Sequence, residues 1–387
     1  MTNNLTESPK FIDTTVRPAG QKIVLLCDWL PPDFGAVGQY TLQRGEQLAQ
    51  EGHHVTVVGF SSQIASPSPT TSPITQPVSL LNVLRVQCGT YDKNSLIKRA
   101  LWTLSANIKL LRVAQTAIKG ADEVIFTGSP PYFLHFIVPA NLLLWHKKLV
   151  YRITDFHPEC LMAEFNGVPI WLKALYQLTL FWRRRVAIFE AIGEDQKARL
   201  TAINIPSSQI RVVRDPAPVA FAADLTPKPK PDKFGSMHSI LYSGNFGVAH
   251  DDKTFLDGYA AFNTRYPGRA KLWLNAVGKK ADLIESACNL ANLPILRSQP
   301  VPLPELPALL ISADLHLITL RDAFVGFVLP SKVYACIDSA RPILFIGSEA
   351  SDVHLLCSTR VPSAQYRRVD VGDVQGAAAA LDALLPT

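Results

Sequence analysis

Apolar residues along this chain fall into short continuous runs separated by stretches with a helical repeat. Lys22–Trp29 (KIVLLCDW) is one such run, the pattern of a parallel strand covered on both faces. A turn with Pro31, Pro32, Gly35 and Gly38 follows. Gln39–Gln50 then has helical periodicity and stops at Glu51–Gly52, a common helix end. His54–Phe60 (HVTVVGF) reads as a second strand. This strand–helix–strand opening predicts a doubly wound α/β sheet. Further strands are expected at Val83–Gln87, Glu123–Thr127, Lys148–Thr154, in or next to Ala187–Ile192, and at Ile210–Arg214. Helices are expected over Leu96–Lys119, after Pro131, and over Trp171–Glu190.

The pattern breaks at Asp215–Gly235, which is rich in proline and lysine and reads as a linker. The alternation then restarts. Strands are expected at Ser239–Tyr242, Lys271–Val277, Pro294–Leu296, Ala313–Leu320 and Ile343–Ile346. Helices fall between them, ending near Arg265, over 280–291 and over Leu303–Ser312. Pro330 is expected to open one more helix, with Ser331 and Lys332 in its first turn and Arg341–Pro342 at its end. The resulting division is a disordered lead-in (1–20), an N-terminal domain (21–217), a linker (218–236), a C-terminal domain (237–372) and a C-terminal helix (373–387) that could pack back on the N-terminal domain.

Composition adds limits. A chain of 387 residues with 48% hydrophobic and 18% charged residues can build two large cores. A net charge of +6 suits anionic ligands or an anionic membrane and is too small to signal a nucleic-acid binder, so no nucleic-acid partner is expected. Six cysteines lie far apart with no CxxC pair, which favours buried free thiols in a reducing compartment over disulfides or zinc. The polar N-terminus has no apolar signal-like core, and no run reaches membrane-spanning length. Ser61–Pro77 is a low-complexity Ser/Thr/Pro stretch, read as a mobile excursion.

Several motifs stand in a recognisable order. They are DWLPPDFGAVGQY after the first strand, a Leu48–Gly52–His53/His54–Val55–Val57 run, TGSPP (Thr127–Pro131), TDFHPE (Thr154–Glu159), LYSGNFGVAHD (Leu241–Asp251) and ADLHLITLRD…VLPSKVYACIDSARPIL. Over about residues 22–347 the chain resembles the family-4 type of GT-B glycosyltransferases, in the branch that serves polysaccharide and O-antigen assembly. The resemblance implies two Rossmann-like domains facing a central cleft, with the acceptor on the N-terminal one and a nucleoside-diphosphate sugar on the C-terminal one. It implies retention of configuration, no required metal, and no cofactor beyond the donor substrate. Many members carry two glutamates eight positions apart in the last strand–helix unit; here Val325 and Val333 stand there, with Asp322 nearby.

Departure of a nucleoside diphosphate needs its charge stabilised by backbone N–H groups and cations. Ser331 and Lys332 after Pro330, with Gly244, Asn245 and Gly247, suit that task, and His250 and Arg321 could touch the donor. Gly35 and Gly38 suit the acceptor-side loop. The same glycines equally suit tight helix–strand packing, and a solvated surface lysine is the alternative for Lys332. By resemblance Asp155 lies near the acceptor and the sugar ring, and His157 is the second catalytic candidate; a helix-capping role for Asp155–Glu159 is the alternative. Basic and aromatic residues share the segments Lys98–Lys119, Leu144–Lys148 and Trp171–Arg185, as in surface-bound helices or as in buried helices with snorkelling cations. Together these readings describe a cytoplasmic glycosyltransferase held peripherally at the inner face of the plasma membrane, with a glycan or lipid-linked acceptor. A non-hydrolysing nucleotide-sugar epimerase and a non-catalytic transferase-like binding subunit remain the alternatives.

Overall fold

In the computed structural model, which describes residues 11, 15, 17–33, 35–62, 80–89, 96–165 and 167–386, the chain divides at Asp215–Pro216 into two units. The first holds β1 (Lys22–Trp29), α1 (Ala36–Gln50), β2 (His54–Ser61), β3 (Leu81–Gln87), α2 (Leu96–Gly120), β4 (Glu123–Thr127), α3 (Leu134–Ala140), β5 (Lys148–Ile153), α4 (Glu159–Met162), α5 (Ile170–Arg183), β6 (Ile188–Ala191), α6 (Glu194–Ala202) and β7 (Ile210–Val212). Its seven strands pair in the order β3-β2-β1-β4-β5-β6-β7, all parallel.

The second unit holds β8 (His238–Ser243), α7 (Lys253–Arg265), β9 (Ala270–Asn275), α8 (Lys279–Leu290), β10 (Ile295–Ser298), α9 (Leu306–Ser312), β11 (Leu315–Thr319), α10 (Lys332–Asp338), β12 (Ile343–Ile346), α11 (Asp352–Arg360), β13 (Tyr366–Val369) and α12 (Val374–Leu384). Six parallel strands run β10-β9-β8-β11-β12-β13. Each unit is a doubly wound sheet, and the order reverses between β1 and β4 in one and between β8 and β11 in the other. Loops at the carboxyl ends of those strands form the crevice where such sheets hold ligands.

Continuous apolar runs make the central strands because both sheet faces are covered. Ile23, Leu25, Val55, Val57, Ile125 and Val150 pack together beneath α1. In the second unit Ile240, Tyr242, Leu272, Leu274, Leu315 and Leu344 do the same against α7 and α12.

Four expectations change. Within the proposed lead-in, residues 1–10, 12–14 and 16 lie outside the described residues, but Phe11 is buried against Tyr40 and Val213, and Arg17 reaches Glu123 at 2.9 Å. Most of the 61–77 excursion likewise lies outside them. The linker hugs the C-terminal unit: Val219 and Phe234 join an apolar cluster with Leu241 and Trp273, and Lys230 pairs with Asp314. The helix from Trp171 ends at Arg183, because Val186 just before β6 and Phe189 within it are needed in the core. Residues 373–387 give α12, whose Ala377, Ala380, Leu381 and Leu384 are spent on the core of the C-terminal unit, where the sequence had suggested docking on the N-terminal one.

Candidate functional site

At the carboxyl ends of β1, β4 and β5 the N-terminal unit gathers Asp28, Ser129, Asp155 and His157. Ser129 Oγ donates to Asp28 Oδ2 at 2.6 Å, while Asp28 Oδ1 is buried without a hydrogen-bond partner. Burial lifts the Asp28 carboxyl to about 6, the Ser129 bond works against the rise, and the Asp155 charge adds to it. Burial also raises Asp155, opposed by the neighbouring His157. Burial is the larger cause at both carboxyls, and the Asp155 charge adds a smaller push at Asp28.

The loop after β5 is fixed from behind. Arg183 makes a buried bidentate pair with Glu159, with its second bond at 3.0 Å, donates to His157 O at 3.1 Å, and lies over the Phe156 ring at 5.1 Å. Glu159 therefore anchors α5 to this loop. Tyr132, in a left-handed conformation (φ 64°), brings its ring to 6.0 Å from His157.

Gly38 is required for packing: a Cβ there would sit 1.8 Å from the Trp29 carbonyl oxygen, so α1 could not lie against the end of β1. Gly35 is the extended N-cap of α1, and a Cβ on it would come to 3.3 Å from the Trp29 carbonyl oxygen and 4.0 Å from Asp28 Oδ1. Gly35 thus borders the acid pair, and Gly38 only permits the approach.

In the C-terminal unit the decisive residue is Lys332. Its Nζ is buried without a hydrogen-bond partner, 3.2 Å from the centre of the Tyr242 ring and 3.9 Å from the position a Cβ would take on Gly244. Burial pulls its pKa down to about 7. Gly244 has φ 115°, a conformation that favours glycine. Tyr242 Oη donates to Asn245 O at 3.0 Å, which sets the turn after β8. His250 Nδ1 lies 2.7 Å from the Thr319 carbonyl oxygen, and burial with the Lys332 charge lowers its pKa to about 3. It is therefore neutral, with Nδ1 donating and Nε2 left as an acceptor. The structure brings together Gly244, Asn245, His250 and Lys332.

It does not bring Arg321 or Gly247 to the ammonium. Arg321 donates to Val248 O at 3.2 Å and lines an open depression of about 350 Å³ with Asp252 and Lys280. Around Gly247 no heavy atom comes within 4 Å of an added Cβ. Pro330 and Ser331 precede the helix: α10 begins at Lys332, with Ser331 as an N-cap that makes no side-chain cap bond. With seven residues α10 is short, so the positive charge at its start is the lysine's more than a helix dipole's. Val325 and Val333, at the positions of the family's glutamates, are buried apolar side chains.

Asp28 and Ser129 were missed in the sequence. Asp28 closes an apolar run, and only the position of its strand beside the sheet's switch point marks it. All six cysteines are buried free thiols. Among the described residues no cluster of His, Cys, Asp or Glu is placed to hold a metal ion, and no helix is long and apolar enough to cross a membrane.

No protein-family model matches the chain, and no curated protein matches its sequence. Solved structures do match. The α,α-trehalose 6-phosphate synthase of Burkholderia multivorans superposes with a TM-score of 0.65 at 12% identity, covering 94% of this chain and 88% of that one. WaaG, a glycosyltransferase involved in lipopolysaccharide biosynthesis, gives 0.60 at 13% identity over 94% and 90%. Anabaena HepE in complex with UDP and glucose gives 0.60 at 10% identity over 94% and 89%. The chain has the GT-B fold. Its Lys332 seat and its Asp28–Asp155 pair each lie at the carboxyl-end crevice of one Rossmann-like unit of that fold.

Proposed function

We propose that this GT-B protein is a retaining glycosyltransferase that moves a sugar from a nucleoside-diphosphate sugar to a glycan or lipid-linked acceptor on the cytoplasmic side of the plasma membrane, with no required metal. The observation that carries this reading is the unpaired, buried Lys332 ammonium beside Gly244. A cation held out of water with an aromatic ring against it but no hydrogen-bond acceptor is costly, and a diphosphate beside it would supply the missing charge. His250 Nε2 is suited to accept a hydrogen bond from a donor hydroxyl. In the N-terminal unit the Asp28–Asp155 pair is suited to hold an acceptor hydroxyl, with His157 at its edge. The likeness to the UDP complex of HepE and to the lipopolysaccharide transferase WaaG supports the donor class.

A panel of nucleotide sugars, each assayed for nucleoside-diphosphate release with and without membrane extract, tests the proposal. Release with one base and one sugar is expected, and no release or binding with any donor refutes it. Conversion of a nucleotide sugar to its epimer without release would favour the epimerase alternative instead.

A further inference from the structure

Three helical segments of the N-terminal unit expose apolar side chains where a water-facing helix carries polar ones. On α5 the exposed stripe is Ile170, Ala174, Leu178 and Phe181, a helical repeat turned toward solvent; Ile170 is 81% exposed and the adjacent Trp171 55%. The π-type turn Asn141–Trp145 after α3 exposes Leu142, Leu143 and Leu144, with Leu143 at 78%. On α2, Leu101 and Leu104 are exposed. The three segments are neighbours: Asn107 of α2 donates to Pro131 O at 3.3 Å, and His135 of α3 lies 3.1 Å from Thr179 of α5.

Charge says what covers this face. Residues 96–120, 134–148 and 170–185 contain eleven Lys or Arg and no Asp or Glu. Lys109, Arg112, Lys173, Arg184 and Arg185 are exposed around the apolar side chains. A second copy would set like charge against like charge, whereas an anionic bilayer matches both the broad exposed leucines and the bases.

The face is also wired to the acceptor end of the sheet. Trp102 of α2 stacks on Trp29 with ring centres 6.0 Å apart, next to Asp28. The loop carrying Ser129 leads into α3, and Arg183 of α5 holds His157 and Glu159.

We propose that the α2–α3–α5 face docks on an anionic lipid bilayer, and that the acceptor is a lipid-linked saccharide presented at that surface. The acceptor half rests on the glycosyltransferase reading; the docking half does not. Each exposed base near an anionic surface strengthens partition by about fivefold, and Leu143 and Ile170 enter the interface.

Flotation of the full chain with vesicles of phosphatidylcholine alone, or with about one-third phosphatidylglycerol, is the test. Binding at least about tenfold stronger to the anionic vesicles is expected, reduced several-fold in about 0.5 M salt. Lys109→Gln with Lys173→Gln should lower partition by about twenty-fold, and Leu143→Asp with Ile170→Asp by tenfold or more, with far-UV circular dichroism and nucleoside-diphosphate binding unchanged. Equal flotation on both vesicles, or wild-type flotation by both double variants, overturns the docking surface. So does self-association that these variants abolish while vesicle binding is absent. For the acceptor, label from the active donor should enter the chloroform–methanol extract of membranes. Label confined to soluble glycan overturns the lipid-linked class. Failure to transfer with every donor defeats the glycosyltransferase reading and leaves the vesicle result standing.

Discussion

Replacing Lys332 by methionine removes a buried charge and keeps most of the side-chain volume. In the unliganded protein the drop from 10.5 to about 7 corresponds to about 5 kcal/mol of disfavour for the charged form at low pH. The folded pKa lies below the unfolded one, so the unfolded chain holds more protons between about pH 7 and 10.5. Stability of the C-terminal unit therefore climbs with pH across that window, and Lys332→Met flattens the climb. Binding behaves oppositely. A diphosphate beside Nζ restores the charge, so complex formation takes up a proton near pH 8, and Kd rises by up to about tenfold per pH unit above pH 7. Loss of charge-assisted hydrogen bonds of about 1.5–3 kcal/mol predicts roughly 10–150-fold weaker binding by Lys332→Met. Calorimetric titration of UDP, GDP, ADP and dTDP, in buffers of different ionisation enthalpy, reads both affinity and proton uptake. Wild-type affinity in the variant, with no proton uptake in the parent, would refute the diphosphate seat.

Two further expectations concern the N-terminal unit. Gly38→Ala places a methyl 1.8 Å from the Trp29 carbonyl, and the shift of α1 should cost about 1–3 kcal/mol or more in a urea titration; Gly52→Ala, where no atom crowds the added carbon, meets strain only from its positive φ, so a larger loss there would remove the packing argument. Arg183→Met leaves Glu159 buried and unpaired and should cost about 3–5 kcal/mol, with much of it recovered by adding Glu159→Gln; equal losses in the single and double variants would show that the ion pair does not govern the loop after β5.

Much of the architecture was legible because parallel sheets covered on both faces need strands that are apolar throughout. KIVLLCDW, HVTVVGF and Ile343–Ile346 announce themselves, and their spacing leaves room only for crossover helices. Elements without that signal were not read: α6 is short and polar, β13 (YRRV) carries two arginines in four residues, and α11 alternates without a clear stripe. The motif order also singled out Lys332 and Gly244 before any coordinate, since a lysine at a helix start after a glycine-bearing loop is one arrangement that suits an anion.

What the linear chain could not contain is which side chains lose water and which meet. Asp28 and Ser129 are about a hundred positions apart in sequence and become partners only because β1 and β4 are neighbours at the switch point. Lys332 could equally have been a solvated lysine; packing over Tyr242 decided otherwise. Gly35 and Gly38, three residues apart, were indistinguishable until the Trp29 carbonyl showed that one is needed for packing and the other borders the acid pair. Hydrophobic periodicity is local and fixes elements, whereas desolvation and charge pairing depend on distances that only the assembled sheets define.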